Sequence, residues 1–256
     1  MIHPTAIISD SASIADDVEI GPYSIIGDDV TIGSGCHIGS HVVISGPTTI
    51  GSDNRIYQFA SIGDDPQDKK YADEPTRLEI GDRNTIREFC TISRGTVDDE
   101  GVTTIADDNW IMAYVHIAHD CRIGSNTIMA NNATLAGHVH VGDWAIFGGF
   151  TGVHQFCKIG AHAFLGMFSI ISQDVPAYAM ISGQPAAPRG INAEGLKRRG
   201  YTAEQIRNIK NAYRVVYRQG RKLAEAIDEI AGLVDEQPEL GIFLASLRAA
   251  DRGLLR

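Results

Sequence analysis

Cysteine is scarce: four in 256 residues, at Cys36, Cys90, Cys121 and Cys157, with no two in a CxxC spacing. That excludes a disulfide scaffold and the usual zinc-ribbon patterns, and it fits a reducing compartment. No apolar run is long enough to span a bilayer. The first thirty residues already follow the repeat described below and contain no secretory leader, so a soluble, cytoplasmic protein is expected. Basic residues are few before residue 189, nine Lys and Arg against twenty-three Asp and Glu. That balance repels nucleic acid. Residues 189–256 reverse it, thirteen against nine, with Arg189, Lys197, Arg198, Arg199, Arg207, Lys210, Arg214 and Arg218 among them. Such a cluster suits an acidic partner or a phosphorylated ligand.

What the chain does have is a ladder. Ile recurs at every sixth position from Ile2 to Ile62, again at Ile80, Ile86 and Ile92, and, after a slip of one, from Ile105 to Ile171 with Met129, Leu135, Val141, Phe147, Val153 and Leu165 on the same rungs. Six is the period of a parallel β-helix of hexapeptide repeats, with about eighteen residues in each triangular coil. The aliphatic residue points inward. A small residue four places later fills the second inward position, for example Ala12, Val18, Ser24, Ala60, Ala133 and Ala163. All four cysteines fall there too and read as small buried apolar residues. The expected fold is therefore mainly β, a left-handed parallel β-helix over residues 1–177. Two stretches break the pattern, 63–79 and 93–104, and read as loops thrown out of the coil. Long loops on a rigid scaffold tend to carry function.

From Tyr178 helical periodicity takes over, and residues 178–256 read as a C-terminal α-helical domain. Thr202 and Gln205 form a capping box, followed by an apolar face of Ile206, Ile209, Tyr213, Val216 and Tyr217. A second helix is predicted near 221–234, with Leu223, Ile227, Ile230 and Val234 on one side. A third is predicted from about Pro238 to Leu247. The flat outer faces of so narrow a coil lead us to expect a trimer.

The polar residues gather at one place. His116, His119, His138, His140 and His154 lie within forty positions. Residues eighteen apart stack at the strand spacing of about 4.8 Å, which puts His119, Gly137 and Gln155 in one column and Asp120 with His138 in the next. His119 beside Asp120 fits a general base whose tautomer a carboxylate fixes. The Gly137 amide, one coil away, could face a developing oxyanion. Alternatively, histidines from neighbouring chains could hold zinc with an open fourth position, as in γ-class carbonic anhydrases, which share this solenoid. A non-catalytic scaffold is a third reading.

Longer segments decide among these. HPTAI (3–7), IYQFASIG (56–63), QDKKYADEPTR (67–77), HIAHDC (116–121), NNATLAGHV (131–139), VHQFCKIGAH (153–162), QDVPAY (173–178) and NAEGLKRRG (192–200) together resemble the UDP-N-acetylglucosamine O-acyltransferases that open lipid A biosynthesis. The resemblance implies transfer of a 3-hydroxyacyl group from acyl carrier protein to the sugar 3-hydroxyl, in a homotrimer with sites between subunits and with neither cofactor nor metal. His119 would be the base, Asp120 its orienting partner and the Gly137 amide the oxyanion donor. Gln67, Asp68 and Lys70 would reach a neighbouring chain's site. His116, His138, His154 and Gln155 would line the sugar and nucleotide pocket, while Asn192, Glu194, Arg198 and Arg199 would hold the nucleotide end. The basic C-terminal cluster would meet the acidic carrier protein.

Two positions depart from the family pattern. Ser93 stands where relatives often have His, although Arg94 and Gly95 remain. Met167 stands where some relatives have Gly, at a position that helps set acyl length. It lies 48 residues past His119, or roughly 13 Å along the axis, and resemblance to relatives with a bulky residue there implies a donor of about ten carbons. The N-acyltransferase of the same pathway is the nearest rival. It carries an additional N-terminal domain, whereas here the hexads begin at Ile2.

Overall fold

A computed structural model describes all 256 residues. Short strands of two to four residues build three parallel sheets that wrap as the faces of a prism. Successive strands visit the faces in turn: Ile7–Ile8 on the first, Ser13–Ile14 on the second, Glu19–Ile20 on the third, and Ile25–Ile26 on the first again. Away from the two loops and the end of the coil, described below, each coil strand pairs with the one eighteen residues later, as Ile26 does with Ile44 and Ile117 with Leu135. The ladder residues form one continuous core, with Ile38, Ile44, Ile56, Ile62, Ile86, Ile111 and Ile117 fully buried.

The second inward position behaves as its small residues require. All four cysteines are buried and free, and burial pushes the thiols up, to about 11 for Cys90 and Cys157 and about 12 for Cys121. Polar residues also occupy it where they can stack. Asn54 Oδ1 accepts from Asn84 N at 2.9 Å, Asn84 Oδ1 from Asn109 N at 3.0 Å, and Asn109 Oδ1 from Thr127 N at 2.8 Å. Each buried side chain thus satisfies the coil above it.

Both loops leave the corner between the first and second faces, and both are shorter than the sequence pattern indicates. Strand pairing resumes at Arg77–Ile80 and Val102–Ile105, which pair with each other, so the irregular runs are 65–76 and 94–101. Paired rungs are 30 residues apart across the first loop (Ile62 with Ile92) and 25 apart across the second (Ile92 with Ile117). The second spacing is the source of the one-residue slip.

The coil also runs past the expected change at residue 178. Ala179–Ser182 adds a parallel strand to the third face, and Ala187–Ile191 folds back antiparallel beside it. Four helices follow: α1 Ala193–Arg198, α2 Ala203–Tyr217, α3 Leu223–Ala231 and α4 Leu240–Arg248. The capping box at α2 forms as read, with Thr202 Oγ1 accepting from Gln205 N at 3.1 Å and Gln205 Oε1 from Thr202 N at 2.9 Å. α3 stops at Ala231, short of 234, because Gly232 breaks the run and turns follow. α1 has too few apolar residues for a periodicity to reveal it; Asn192 caps it instead. A second core of Tyr178, Leu196, Ile209, Tyr213, Val216, Ile230, Phe243 and Leu247 joins the helices to the end of the coil. None of the helices is long and apolar enough to cross a membrane.

Candidate active site

The corner that ejects both loops also carries the histidines. Residues 118–121, 136–139 and 154–157 are its successive turns. His119 Nδ1 lies 2.8 Å from Asp120 Oδ2. Asp120 takes the left-handed backbone conformation (φ 58°) that this turn requires and that Asp tolerates well. Its carboxylate is almost fully enclosed and fully engaged: Oδ1 accepts from Thr96 N at 2.8 Å, and Oδ2 from the Thr96 hydroxyl at 2.6 Å. Burial alone would raise its proton affinity; the hydrogen bonds from His119 and Thr96 outweigh it and hold the carboxyl below the usual range. Asp120 is thus a fixed anion that accepts a hydrogen bond from His119 Nδ1–H and leaves Nε2 free to accept a proton.

Gly137 lies against the face of this imidazole. A Cβ placed there would stand 2.5 Å from His119 Cε1 and 2.7 Å from Nε2, so only glycine fits. The amides on either side are spent, Ala136 N on Val153 O and His138 N on His119 O, both at 3.0 Å. The Gly137 amide has no acceptor in the chain. The His119 imidazole and a backbone amide with no partner therefore lie side by side.

The other residues of this corner are tied in behind. His138 meets His119 edge to face at 5.1 Å, stacks on Phe156 at 4.4 Å, and contacts Asp99 Oδ2 through Nδ1 at 3.1 Å. His116 Nδ1 pairs with Thr91 Oγ1 at 2.7 Å, and burial, then His119, keeps its imidazole below the usual range. His154 and Gln155 are exposed one coil on. His119, Asp120 and His138 have donor atoms within 4.8 Å of one another, the spacing of a metal site, but both Asp120 oxygens already serve Thr96 and His119.

The two loops close on each other at this corner. Arg94, 7% exposed, donates to Gly63 O at 2.7 Å and Tyr71 Oη at 3.0 Å, and pairs with Asp65. Gln67 and Lys70 are exposed in the first loop; Asp68 Oδ1 accepts from Lys70 N at 3.0 Å. Ser93 is buried in its strand.

Other expected residues lie elsewhere. Arg199 and Asn192 sit at the corner between the second and third faces, on the column of Trp144 and His162. Asn192 spends its side chain capping α1, accepting from Gly195 N at 3.2 Å, and on His162 O at 3.0 Å. Glu194 pairs with Lys197 at 2.8 Å, and Arg198 is exposed. Met167, 64% exposed, lies at the third corner, between the third and first faces. Two-thirds of a coil is part of its separation from His119, and that fraction turns it away from His119 within one chain. The third corner also carries stacked, half-exposed aromatic rings: Tyr23, His41, Phe59, Phe89 and Tyr114 in one run, and Phe150 with Phe168 in another.

Comparison with known proteins follows this division of the chain. Residues 174–255 match the family "Udp N-acetylglucosamine O-acyltransferase; Domain 2", and residues 11–46 and 103–137 match the bacterial transferase hexapeptide family. An acyl-[acyl-carrier-protein]–UDP-N-acetylglucosamine O-acyltransferase of Thiobacillus denitrificans is 64% identical over all of this chain and 99% of its own. The chain belongs to the UDP-N-acetylglucosamine O-acyltransferases. A Pseudomonas aeruginosa protein of the same description is 59% identical at the same coverage. Solved UDP-N-acetylglucosamine acyltransferases from Moraxella catarrhalis (TM-score 0.98, 50% identity, covering 100% of this chain and 99% of that one) and Francisella novicida (0.98, 46%, 100% and 94%) share the whole fold. The architecture is accordingly the left-handed β-helix with a helical C-terminus, and the chain is an acyltransferase.

In this UDP-N-acetylglucosamine O-acyltransferase, sequence reading missed Thr96, Thr103 and Asp99. Thr96 and Asp99 sit in a loop without a period. Thr103 Oγ1, which accepts from Asp120 N at 2.8 Å, looks like any inward small residue.

Proposed function

We propose that the chain transfers a 3-hydroxyacyl group from acyl carrier protein to the 3-hydroxyl of UDP-N-acetylglucosamine, the opening step of lipid A biosynthesis. The observation that carries this reading is the His119–Asp120 pair packed against Gly137, whose amide has no partner in the chain. His119 Nε2 takes the hydroxyl proton as the sugar oxygen attacks the thioester carbonyl. The imidazolium, its Nδ1 proton held by Asp120, is stabilised in place. The Gly137 amide receives the oxyanion of the tetrahedral adduct. Collapse breaks the carbon–sulfur bond, and His119 returns its proton to the departing thiolate. The buried, high-pKa cysteines support direct transfer with no covalent enzyme intermediate.

The separation of residues over two corners supports a site between subunits of a homotrimer. The first corner of one chain supplies base and amide; Met167, on another corner, comes from a neighbour, and the first loop, thrown outward from the first corner, carries Gln67, Asp68 and Lys70 toward a neighbouring chain's site. The exposed aromatic run at the third corner supplies a surface for that association. Exposed Met167 is not core filling. It stands roughly 13 Å along the axis from the base, where it would block longer chains, and resemblance to relatives with a bulky residue at this position gives a donor of about ten carbons. Arg189, Lys210, Arg214 and Arg218 line a groove beside α2 and suit an acidic carrier protein.

The test supplies UDP-N-acetylglucosamine with a panel of 3-hydroxyacyl carrier proteins and reads product mass. One 3-hydroxyacyl ester per sugar nucleotide, greatest near ten carbons, is expected. A product acylated at nitrogen, or none with any donor, overturns the reading.

A further inference from the structure

His162 belongs to no part of the reaction described so far, yet Arg199, Tyr201 and Asn192 all converge on it at the second corner. It is 7% exposed and takes the left-handed backbone conformation (φ 61°) on the Trp144 column. Its Nδ1 lies 3.1 Å from Arg199 Nη1, its Nε2 3.3 Å from Tyr201 Oη, and its carbonyl accepts from Asn192 Nδ2 at 3.0 Å. Arg199 completes its hold through Nη2 on Trp144 O at 3.0 Å, with the guanidinium 5.0 Å over the indole ring.

The donor inventory fixes the arrangement. A guanidinium only donates, so Nδ1 must accept. The imidazole is therefore neutral, with its proton on Nε2 facing Tyr201. Burial, then the Arg199 charge, pushes the imidazole down to about 4, which keeps it neutral at working pH. Two of the five guanidinium N–H groups are spent on His162 and Trp144, and three remain for a ligand. Without the acceptor at Nδ1, the fork would be held from one side only and could swing about its stem.

We infer that His162 is a positioning residue for the nucleotide end of the substrate: its ring aims Arg199 at the nucleotide phosphates and its carbonyl anchors Asn192. This rests on the reading that Arg199 holds that end. The residue acts on binding, so its loss should change KM for the sugar nucleotide and spare the chemical step.

The fold supplies conservative variants for the test. The same left-handed turn position is occupied by Phe59, Phe89, Phe150, Phe156 and Phe168, and by Asn126 and Asn132. His162→Phe keeps an aromatic ring in the column and removes the acceptor. His162→Asn keeps an acceptor near the place of Nδ1. For His162→Phe, KM for UDP-N-acetylglucosamine should rise roughly ten-fold, the loss of one hydrogen bond to a charged group. KM for the acyl carrier protein and kcat should stay within about two-fold, and His162→Asn should recover most of the loss. Arg199→Ala is measured beside them. If Arg199→Ala raises the nucleotide KM and His162→Phe does not, or if His162→Phe lowers kcat with KM unchanged, the positioning role is refuted alone. If Arg199→Ala itself leaves that KM unchanged, the nucleotide-end reading fails and the inference falls with it.

Discussion

Gly137→Ala separates catalysis from folding more sharply than any other single change at this site. The added methyl carbon would stand 2.5 Å from His119 Cε1 and 2.7 Å from Nε2. Carbon atoms in contact need about 3.5 Å, so the imidazole must retreat by about 1 Å. That movement pulls Nδ1 away from its 2.8 Å contact with Asp120 and shifts Nε2 off the line to the sugar hydroxyl. A misplacement of about 1 Å in a reacting group costs on the order of a hundredfold in rate, which corresponds to about 2.7 kcal/mol of barrier. The backbone itself accepts alanine: Gly137 is absent from the glycines with positive φ, and the unfolded chain loses entropy by about 0.4–1 kcal/mol in favour of the fold. We therefore expect kcat to fall about a hundredfold while thermal melting shifts by no more than a few degrees. Steady-state turnover with saturating donor and acceptor, run beside a melting curve, is the assay. A variant that keeps kcat within about threefold would show that His119 does not act from the position seen against Gly137.

Three further outcomes follow from the same geometry. Thr96→Val removes the 2.6 Å hydroxyl bond to Asp120 and should lower kcat about ten-fold, the value of one hydrogen bond to a buried charge; Thr96→Ser should restore it, and equal rates in all three would remove Thr96 from the account. Met167→Gly should move the donor preference toward longer chains, and an unchanged profile across the donor panel would end the ruler assignment. Acid should destabilise the fold through His162, whose folded pKa near 4 lies below the ordinary value of about 6.5. Above that value neither state is protonated and nothing is lost. Between the two values only the unfolded state takes up the proton, so stability falls by about 3 kcal/mol as pH drops to 4. Chemical denaturation of wild type and His162→Phe at pH 7 and pH 4 should show the variant losing that much less.

How much of this was legible in the sequence depended on whether a residue's environment is set by the period. Ile44, Cys121 and Ala133 were placed correctly by counting sixes, because the coil repeats every eighteen residues whatever lies between. The same counting set Gly137 over His119. The hold on Asp120 was not legible: Thr96 comes from a loop whose path follows Arg94, Tyr71 and Asp65 rather than any repeat. Nor was the inward turn of Arg199. NAEGLKRRG reads as one basic cluster, but docking of α1 on the coil turns Arg199 to His162 and leaves Arg198 in solvent. Met167 could be assigned a height along the axis from sequence; its corner became evident only once the faces were laid out.

The most direct test of the central claim is turnover by His119→Ala with acyl carrier protein donor and UDP-N-acetylglucosamine, with the oligomeric state measured on the same sample. The account predicts loss of nearly all acyl transfer while assembly stays as in the wild type. Transfer near the wild-type rate by an intact assembly would contradict it.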